Sequence, residues 1–532
     1  MKSIGGLPAS DWQRELRENT EPIRTRFQAL YGKDPDILSS RRDLYRKAID
    51  TFIQSYGPKR DVLIFRAPGR INLLGNHVDH RGGYVNYIAI NRESLLVASP
   101  RKDDRVELRN FNATRFAPRS FSIHDLLPPD RRGNWLHYIE NIDLTPGDWS
   151  NYIQAAVLYL QDQFPDQKLN GMDIAVTGDI PIAAGLSSSS SLVVSALEAA
   201  LTFNHLSIPQ QEKAEFCGNA EWYVGTRGGS GDHAAMLYAK RQAIVPLHFF
   251  PLTIDEVPLP DGYRVVACNS FVEHAPPGIF NERVATYEIG LMLVKQQFPE
   301  HADRLGHLRD LNADNLGISL ADMYRILKGL PEWMSRDQIR DQLPDQANRL
   351  ETLFAPHPEP ESGYRVRQVV LFGLAECARS ALGGRLLKTG DIEAFGRLKS
   401  LSHDGDRQFT FSRDGQKAPV DNRVSDTDLD TLIEDVESED ADRIGAAQIH
   451  LQPGGYDCSC EELDLLVDLA NRVDGVGGAG LAGGGLGGCV LVVVREDAVN
   501  ALIHTLNQDF YKPRDLPNGI LVCASVAGSG IV

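Results

Sequence analysis

Apolar residues recur along this chain with two periods, and the switches between them mark its elements. Arg14–Leu30 and Arg41–Tyr56 place apolar residues three and four apart, the spacing of two amphipathic helices. Val62–Arg66 and Tyr84–Ile90 read as apolar strands, with a dense polar stretch between them. Met172–Val176 is a β-branched strand, and Leu192–Leu201 an apolar, Ala-rich helix. A helix is predicted from Trp149 to about Phe164, and another from Ala214 that runs into a glycine-rich turn. Later come a strand at Tyr263–Cys268, helices at Val284–Gln297, Val366–Leu382 and Lys388–Leu401, a helix ending at Arg472, and a strand at Val490–Val494. Residues 298–362 are charged and helical in pieces, as expected of a lid or insertion. Asp406–Ala447 is polar and acidic, and is expected to be a surface insertion with some disorder.

Composition narrows the class of protein. A chain of 532 residues suggests more than one domain. A formal net charge of −17 argues against general nucleic-acid binding, so an anionic substrate would need local positive groups. No apolar run has the length of a membrane span, and the N-terminus has too short an apolar stretch for a signal peptide. The 7 cysteines lack paired metal spacing, and Cys458-Ser-Cys460 is closer than a zinc knuckle; they read as buried thiols of a reducing cytoplasm. The expected partners are therefore small molecules, with neither nucleic acid nor membrane, in a cytoplasmic protein. The oligomeric state stays open between monomer and weak dimer.

Three stretches carry candidate chemistry. Gly178–Leu192 sets five serines between a strand and a helix. A helix start leaves N–H groups unpartnered and attracts anions, so phosphate is the natural guest. Neither a Walker Gly-Lys-Ser/Thr nor a G-x-G-x-x-G is present there. The polar stretch holds Arg70, Asn72, Asn76, His77, Asp79, His80 and Arg81. His77 and Asp79 are too few for a metal cage, while Asp, His and Asn suit the hydroxyls of a polyol. Gly477–Val490 is a glycine loop followed directly by a strand.

Arg66-Ala-Pro-Gly-Arg-Ile-Asn-Leu-Leu-Gly-Asn-His-Val-Asp-His-Arg-Gly-Gly83 resembles the galactokinase signature. The serine stretch resembles the ATP-phosphate motif of the GHMP superfamily of small-molecule kinases (galactokinase, homoserine kinase, mevalonate kinase, phosphomevalonate kinase). The resemblance spans roughly residues 60–530. It implies an α+β, two-domain fold, with an N-terminal domain of ribosomal-protein-S5-like type, a ferredoxin-like α/β C-terminal domain, and the active site in the cleft between them. The implied boundaries are a helical extension at 1–58, the first domain at 59–255, and the second at 256–532 with insertions near 298–362 and 406–447.

The resemblance also implies roles. Val224–His233 matches the loop that carries the family's catalytic Asp, here Asp232, with Arg70 steadying the transferring phosphoryl group. Asn76, His77, Asp79, Gly229 and Phe280 fall at sugar-binding positions. Ala184, Gly185, Leu186, Ser187, Ser188, Ser189 and Ser190 fall on the nucleotide, as do Gly483, Gly484 and Gly485. Trp149 and Tyr152 either flank the adenine or form a core aromatic pair. ATP and Mg²⁺ are the implied cosubstrate and cofactor, with Ser189 and Glu221 as metal ligands.

Departures from the pattern matter. Glu221 is one residue later than the family's Glu, and one helical residue turns a side chain by about 100°, so a bulge or an unwound helix end is needed to restore it. Asn76 replaces a Glu that contacts the sugar's C6 hydroxyl, Phe280 replaces a Tyr, and Gly480 and Ala482 replace an Arg and a Thr. The implied reaction is ATP-dependent phosphorylation of the anomeric hydroxyl of galactose or a similar sugar. The alternatives are a kinase of galacturonate or another C6-altered sugar, and a non-catalytic sugar-and-ATP sensor.

Overall fold

The computed structural model describes residues 6–182, 184–225, 228–273 and 278–532. Ala183 of the serine stretch, Thr226 and Arg227 of the turn before Asp232, and His274–Pro277 lie outside the described residues. The larger sheet runs, in spatial order, Leu7–Pro8, Asp61–Leu74, Tyr84–Pro100, Met172–Gly178, Arg105–Asn110 and Arg119–Ser122. Its long central pairings are antiparallel, whereas Arg105–Asn110 lies parallel to Met172–Gly178. Ala243–His248 pairs with the start of Tyr84–Pro100, and Gly530–Ile531 returns from the C-terminus to pair beside Arg66 and Phe65.

The two central strands are longer than their apolar runs predicted. Asp61–Leu74 is buried from Val62 onward, because helices cover both faces of the sheet and leave no polar alternation to read. Register shifts between Pro68 and Arg70 and between Asn72 and Leu74 re-aim successive side chains. Arg70 and Asn72 therefore stand on a strand rather than on a connecting loop.

One face of this sheet packs on the helices Asn151–Gln163, Ser188–Phe203, Lys213–Glu221 and Gly231–Tyr238, through Ile153, Val157, Leu197, Ile174 and Leu96. The other face is covered by the N-terminal extension. Here the sequence pattern gave two helices and the fold has three: Ala9–Glu18, Glu21–Tyr31 and Pro35–Tyr56. Asn19 ends the first in a left-handed cap at φ 51°, and Pro22 sits in the first turn of the second. Trp12, Phe27, Tyr45 and Phe52 pack on Ile64, Leu95 and Val97.

The second sheet orders Val476–Leu481, Cys489–Arg495, Tyr263–Asn269 and Ile520–Cys523, all antiparallel. Glu461–Asn471 and Val499–Leu506 pack on it through Leu463, Val467, Leu502 and Leu506. A helical layer built on Gly278–Gln297 and Val366–Thr389 completes this half. Residues 298–362 supply Leu308, Tyr324, Leu327, Leu350 and Phe354 to that layer's core, so they are part of its packing and not a lid.

The acidic segment also departs from expectation. It forms a hairpin, Phe409–Phe411 with Lys417–Pro419, and the helices Asp426–Val436 and Ala441–Ala446. Ser425 and Asp428 close a capping box at the start of the longer helix. Leu429, Leu432, Ile433 and Val436 form an apolar stripe at helical spacing on the same core. The acidic residues occupy the outer face, and average composition hides the stripe.

Candidate active site

The two halves meet around a cavity of about 1140 Å³. The residues to which the resemblance gave roles line it: Arg70, Asn76, His77 and Asp79; Trp149 and Tyr152; Ala184 to Ser190; Glu221, Gly229 and Asp232; Phe280; and Gly483 to Gly485; His80 and Arg81 of the polar stretch do not.

The serine stretch forms one wall. Ser187 takes a left-handed conformation at φ 57°, which turns the chain into the helix Ser188–Phe203. The Arg70 backbone N–H donates to Leu186 O at 3.3 Å, and its guanidinium donates to Gly185 O at 2.7 Å. Ser191 is committed to the interior, where its hydroxyl pairs with Ser94 Oγ at 2.7 Å. Ser190 Oγ donates to Glu221 Oε2 at 2.8 Å.

Asp232 stands in the first turn of Gly231–Tyr238. Arg70 grips it as a two-pronged fork, with Nε to Oδ1 at 2.6 Å and Nη2 to Oδ2 at 2.5 Å. Ser187 Oγ also donates to this carboxylate, and the Tyr87 phenol lies near it. Burial and the carboxylates of Asp232 and Asp79 push the Tyr87 phenol well above its ordinary range, so it stays a donor. Tyr87 lies in the buried strand Tyr84–Pro100, and no sequence signal marked it.

Asp79 lies beside this pair. Burial raises its carboxyl, but the His80 imidazole and the backbone amides of His80 and Gly231 outweigh burial and hold it at about 2. Gly229 is required by this approach: an ideal Cβ there would meet Asp79 Oδ2 at 2.5 Å. The floor continues through Asn72 and Asn76. The backbone N–H groups of Gly75 and Asn76 both donate to Glu376 Oε1 at 2.9 Å, and Arg379 holds the other oxygen of that carboxylate at 2.8 Å. His77, at φ 63°, turns its ring into the second half, stacked on Tyr456 at 4.1 Å with Nε2 3.4 Å from Asp406 Oδ2.

Lys399 is a residue that sequence reading missed. Its ammonium is buried and donates at 2.8 Å to Leu481 O, the carbonyl that also accepts from Asn76 Nδ2 at 3.4 Å. Burial lowers it to about 8, opposed by the Glu376 and Asp406 carboxylates. Lys399 also fills the space beside Gly480, whose ideal Cβ would lie 3.1 Å from Lys399 Cε.

At the far end, Trp149 Nε1 donates to Ala117 O at 3.2 Å and its ring meets Phe116 edge-on at 6.2 Å. With Tyr152, Phe111 and Arg115 this makes an aromatic end to the cavity.

Glu221 answers the question of its register. Glu221 ends the helix Lys213–Glu221, which passes directly into a 3₁₀ turn, Trp222–Val224, and its carboxylate reaches the serine wall at Ser190. Glu221 Oε2 is also 2.7 Å from His233 Nε2. Among the described residues no group of three or more His, Cys, Asp and Glu could cage a metal. A serine hydroxyl and one carboxylate, both hard oxygen donors, do suit a Mg²⁺ that keeps most of its shell from water and phosphate oxygens. The hydroxyl bonded to Glu221 is that of Ser190, the neighbour of the predicted Ser189.

Family models match three segments: the GHMP kinases N terminal domain at residues 151–240, the galactokinase galactose-binding signature at 50–100, and the GHMP kinases C terminal domain at 432–512. A galactokinase of Roseiflexus sp. (strain RS-1) is 26% identical over 485 residues, covering 91% of this chain and 96% of its own. The Bos taurus galactokinase is 26% identical over 479 residues, covering 88% and 93%. The crystal structure of Lactococcus lactis galactokinase complexed with galactose shares the fold, with a TM-score of 0.62 at 21% identity, over 90% of this chain and 98% of that one. The chain thus carries matches to both GHMP kinase domains and to the galactose-binding signature around one cleft, and is similar to galactokinases over about nine-tenths of its length.

Proposed function

We propose that this protein transfers the γ-phosphoryl group of ATP to the anomeric hydroxyl of galactose or a sugar of the same configuration. The observation that carries this reading is the Arg70–Asp232 fork, set between the serine wall and the polar floor of Asp79, Asn72 and Asn76. The galactose-binding signature and the galactokinase relatives support the sugar.

Phosphoryl transfer is chiefly a matter of positioning and charge neutralisation. The start of Ser188–Phe203 offers N–H groups to the ATP phosphates, and the aromatic end around Trp149 and Tyr152 takes the base. Asp79 and Asn76 orient the sugar through its hydroxyls, with Gly229 keeping the approach open and Phe280 and His77 closing the wall. Asp232 accepts the proton of the attacking hydroxyl. An anomeric hydroxyl is the most acidic one of a sugar, which suits a carboxylate already gripped by Arg70. Arg70 keeps Asp232 aimed, and its charge faces the site of transfer. Ser190, Ser189 and Glu221 would hold Mg²⁺, which supplies charge neutralisation on phosphate oxygens.

A second reading concerns the C6 end. Asn76 is neutral, and the buried Lys399 ammonium shares a carbonyl with it. A sugar acid such as galacturonate would find no fixed carboxylate at Asn76 itself. ADP release in the presence of ATP, Mg²⁺ and a panel of free sugars decides between them. Turnover of galactose with little of galacturonate supports the first reading, the reverse supports the second, and ATP and sugar binding without ADP from any sugar would contradict both.

A further inference from the structure

The serine wall is held at both ends, but by different parts of the chain. Its C-terminal end is tied to Arg70, which belongs to the site itself. Its N-terminal end is Asp179, the residue after strand Met172–Gly178. Asp179 is gripped by Arg41 of the extension helix Pro35–Tyr56: Nη1 donates to Oδ1 at 3.1 Å and Nη2 donates to Oδ2. The Glu93 backbone N–H adds a bond to Oδ1 at 2.9 Å, and Asp179 N donates back to Glu93 O at 3.1 Å. Arg92 Nε, at 3.7 Å, is beyond hydrogen-bond reach, so among the described residues Arg41 alone makes the fork.

Arg41 is itself fixed from below. It is 2% exposed, and its Nη1 lies 3.6 Å from Glu93 Oε1. Glu93 accepts from Tyr31 of the extension at 2.7 Å and from Arg66 Nε at 2.7 Å. Arg66 also binds the carbonyls of Ala527 and Gly528, so the C-terminal tail joins the same cluster. A long cation is thus held rigidly by buried partners and aimed at the first residue of the loop, across the face of the sheet opposite the catalytic helices.

We propose that Arg41 is a positioning residue for the nucleotide: the N-terminal extension fixes the phosphate-facing loop at Asp179, so that losing the fork weakens ATP binding while leaving the sugar side intact. This rests on the reading that the serine wall takes the ATP phosphates. The fork reaches the loop some residues before Arg70 does, and no atom of Arg41 lines the cavity.

The test is ATP binding by calorimetry, with separate KM values for ATP and galactose, on wild type, Arg41→Met, Arg41→Lys, Asp179→Asn and the double variant Arg41→Met/Asp179→Asn. Arg41→Met is expected to weaken ATP by about tenfold with the galactose KM within about twofold of wild type. Arg41→Lys, which keeps one donor, should recover part of the loss. Asp179 is 27% exposed and can hydrate, so Asp179→Asn folds even where Arg41→Met fails to, and it should show the same ATP defect. The double variant should be no weaker than the weaker single, as for two ends of one interaction. Unchanged ATP affinity in Arg41→Met and Asp179→Asn, equal losses for both substrates, or additive losses in the double would overturn the proposal. A wild type that does not bind ATP would sink the reading of the serine wall and the proposal together, whereas a binding wild type with unaffected variants sinks the proposal alone.

Discussion

At the scale of single residues, the chemistry converges on Asp232. Among the described residues, three hydrogen bonds reach its carboxylate, two from Arg70 and one from Ser187, with the Tyr87 phenol nearby. They hold it aimed, and Ser187 has to release it to face a phosphate instead. Asp232→Asn preserves shape and removes the proton acceptor. We expect it to retain ATP binding and to lose turnover by at least about 10²-fold, measured as ADP release under saturating substrates. Near-normal turnover would remove Asp232 from the reaction. The contrast with Tyr87 shows what a sequence can say about such residues. Asp232, Arg70 and Asp79 sit in motifs with a fixed spacing of glycines and small residues. Tyr87 is an aromatic in a buried strand, where a core side chain and an active-site donor look alike.

At the scale of elements, the informative parts are those that sequence periodicity blurred. Glu221 is the last residue of the helix Lys213–Glu221, just before the 3₁₀ turn Trp222–Val224, and its carboxylate meets the serine wall at Ser190. Ile392–Asp404 brings Lys399 to the glycine loop, a long-range placement with no local mark. Arg309, from the helical layer, binds the carbonyl of Gly82 at 3.0 Å, as well as those of Phe249 and Phe250, so it braces the turn after Asp79.

Lys399 yields a prediction with a definite sign. Its folded value near 8 lies below the ordinary lysine range. The unfolded chain therefore binds more protons between about 8 and 10.5, and this group's contribution to stability rises with pH across that window. The stability of wild type minus that of Lys399→Met, from denaturant unfolding at several pH values, should increase from pH 8 to about 10.5, by at most about 3 kcal/mol. A flat or falling difference would contradict the burial of a titrating ammonium there.

At the scale of the whole molecule, one cleft collects residues from Arg70 to Gly485 because two sheets and their helices pack edge to edge around it. The domain plan was legible because its motifs lie at the ends of strands and the starts of helices. The additions were not. The extension covers a full face of the larger sheet, residues 298–362 build a core, and the acidic segment folds on the stripe Leu429, Leu432, Ile433 and Val436. Each of these depends on tertiary contacts between separate stretches of the chain, which no local pattern records. The central claim is the transfer of a phosphoryl group to one position of one sugar. Phosphorus NMR of galactose incubated with the protein, ATP and Mg²⁺ tests it most directly. The account predicts ADP together with a single new sugar phosphate whose phosphorus couples to the anomeric proton; a phosphate on any other carbon, or intact ATP, would contradict it.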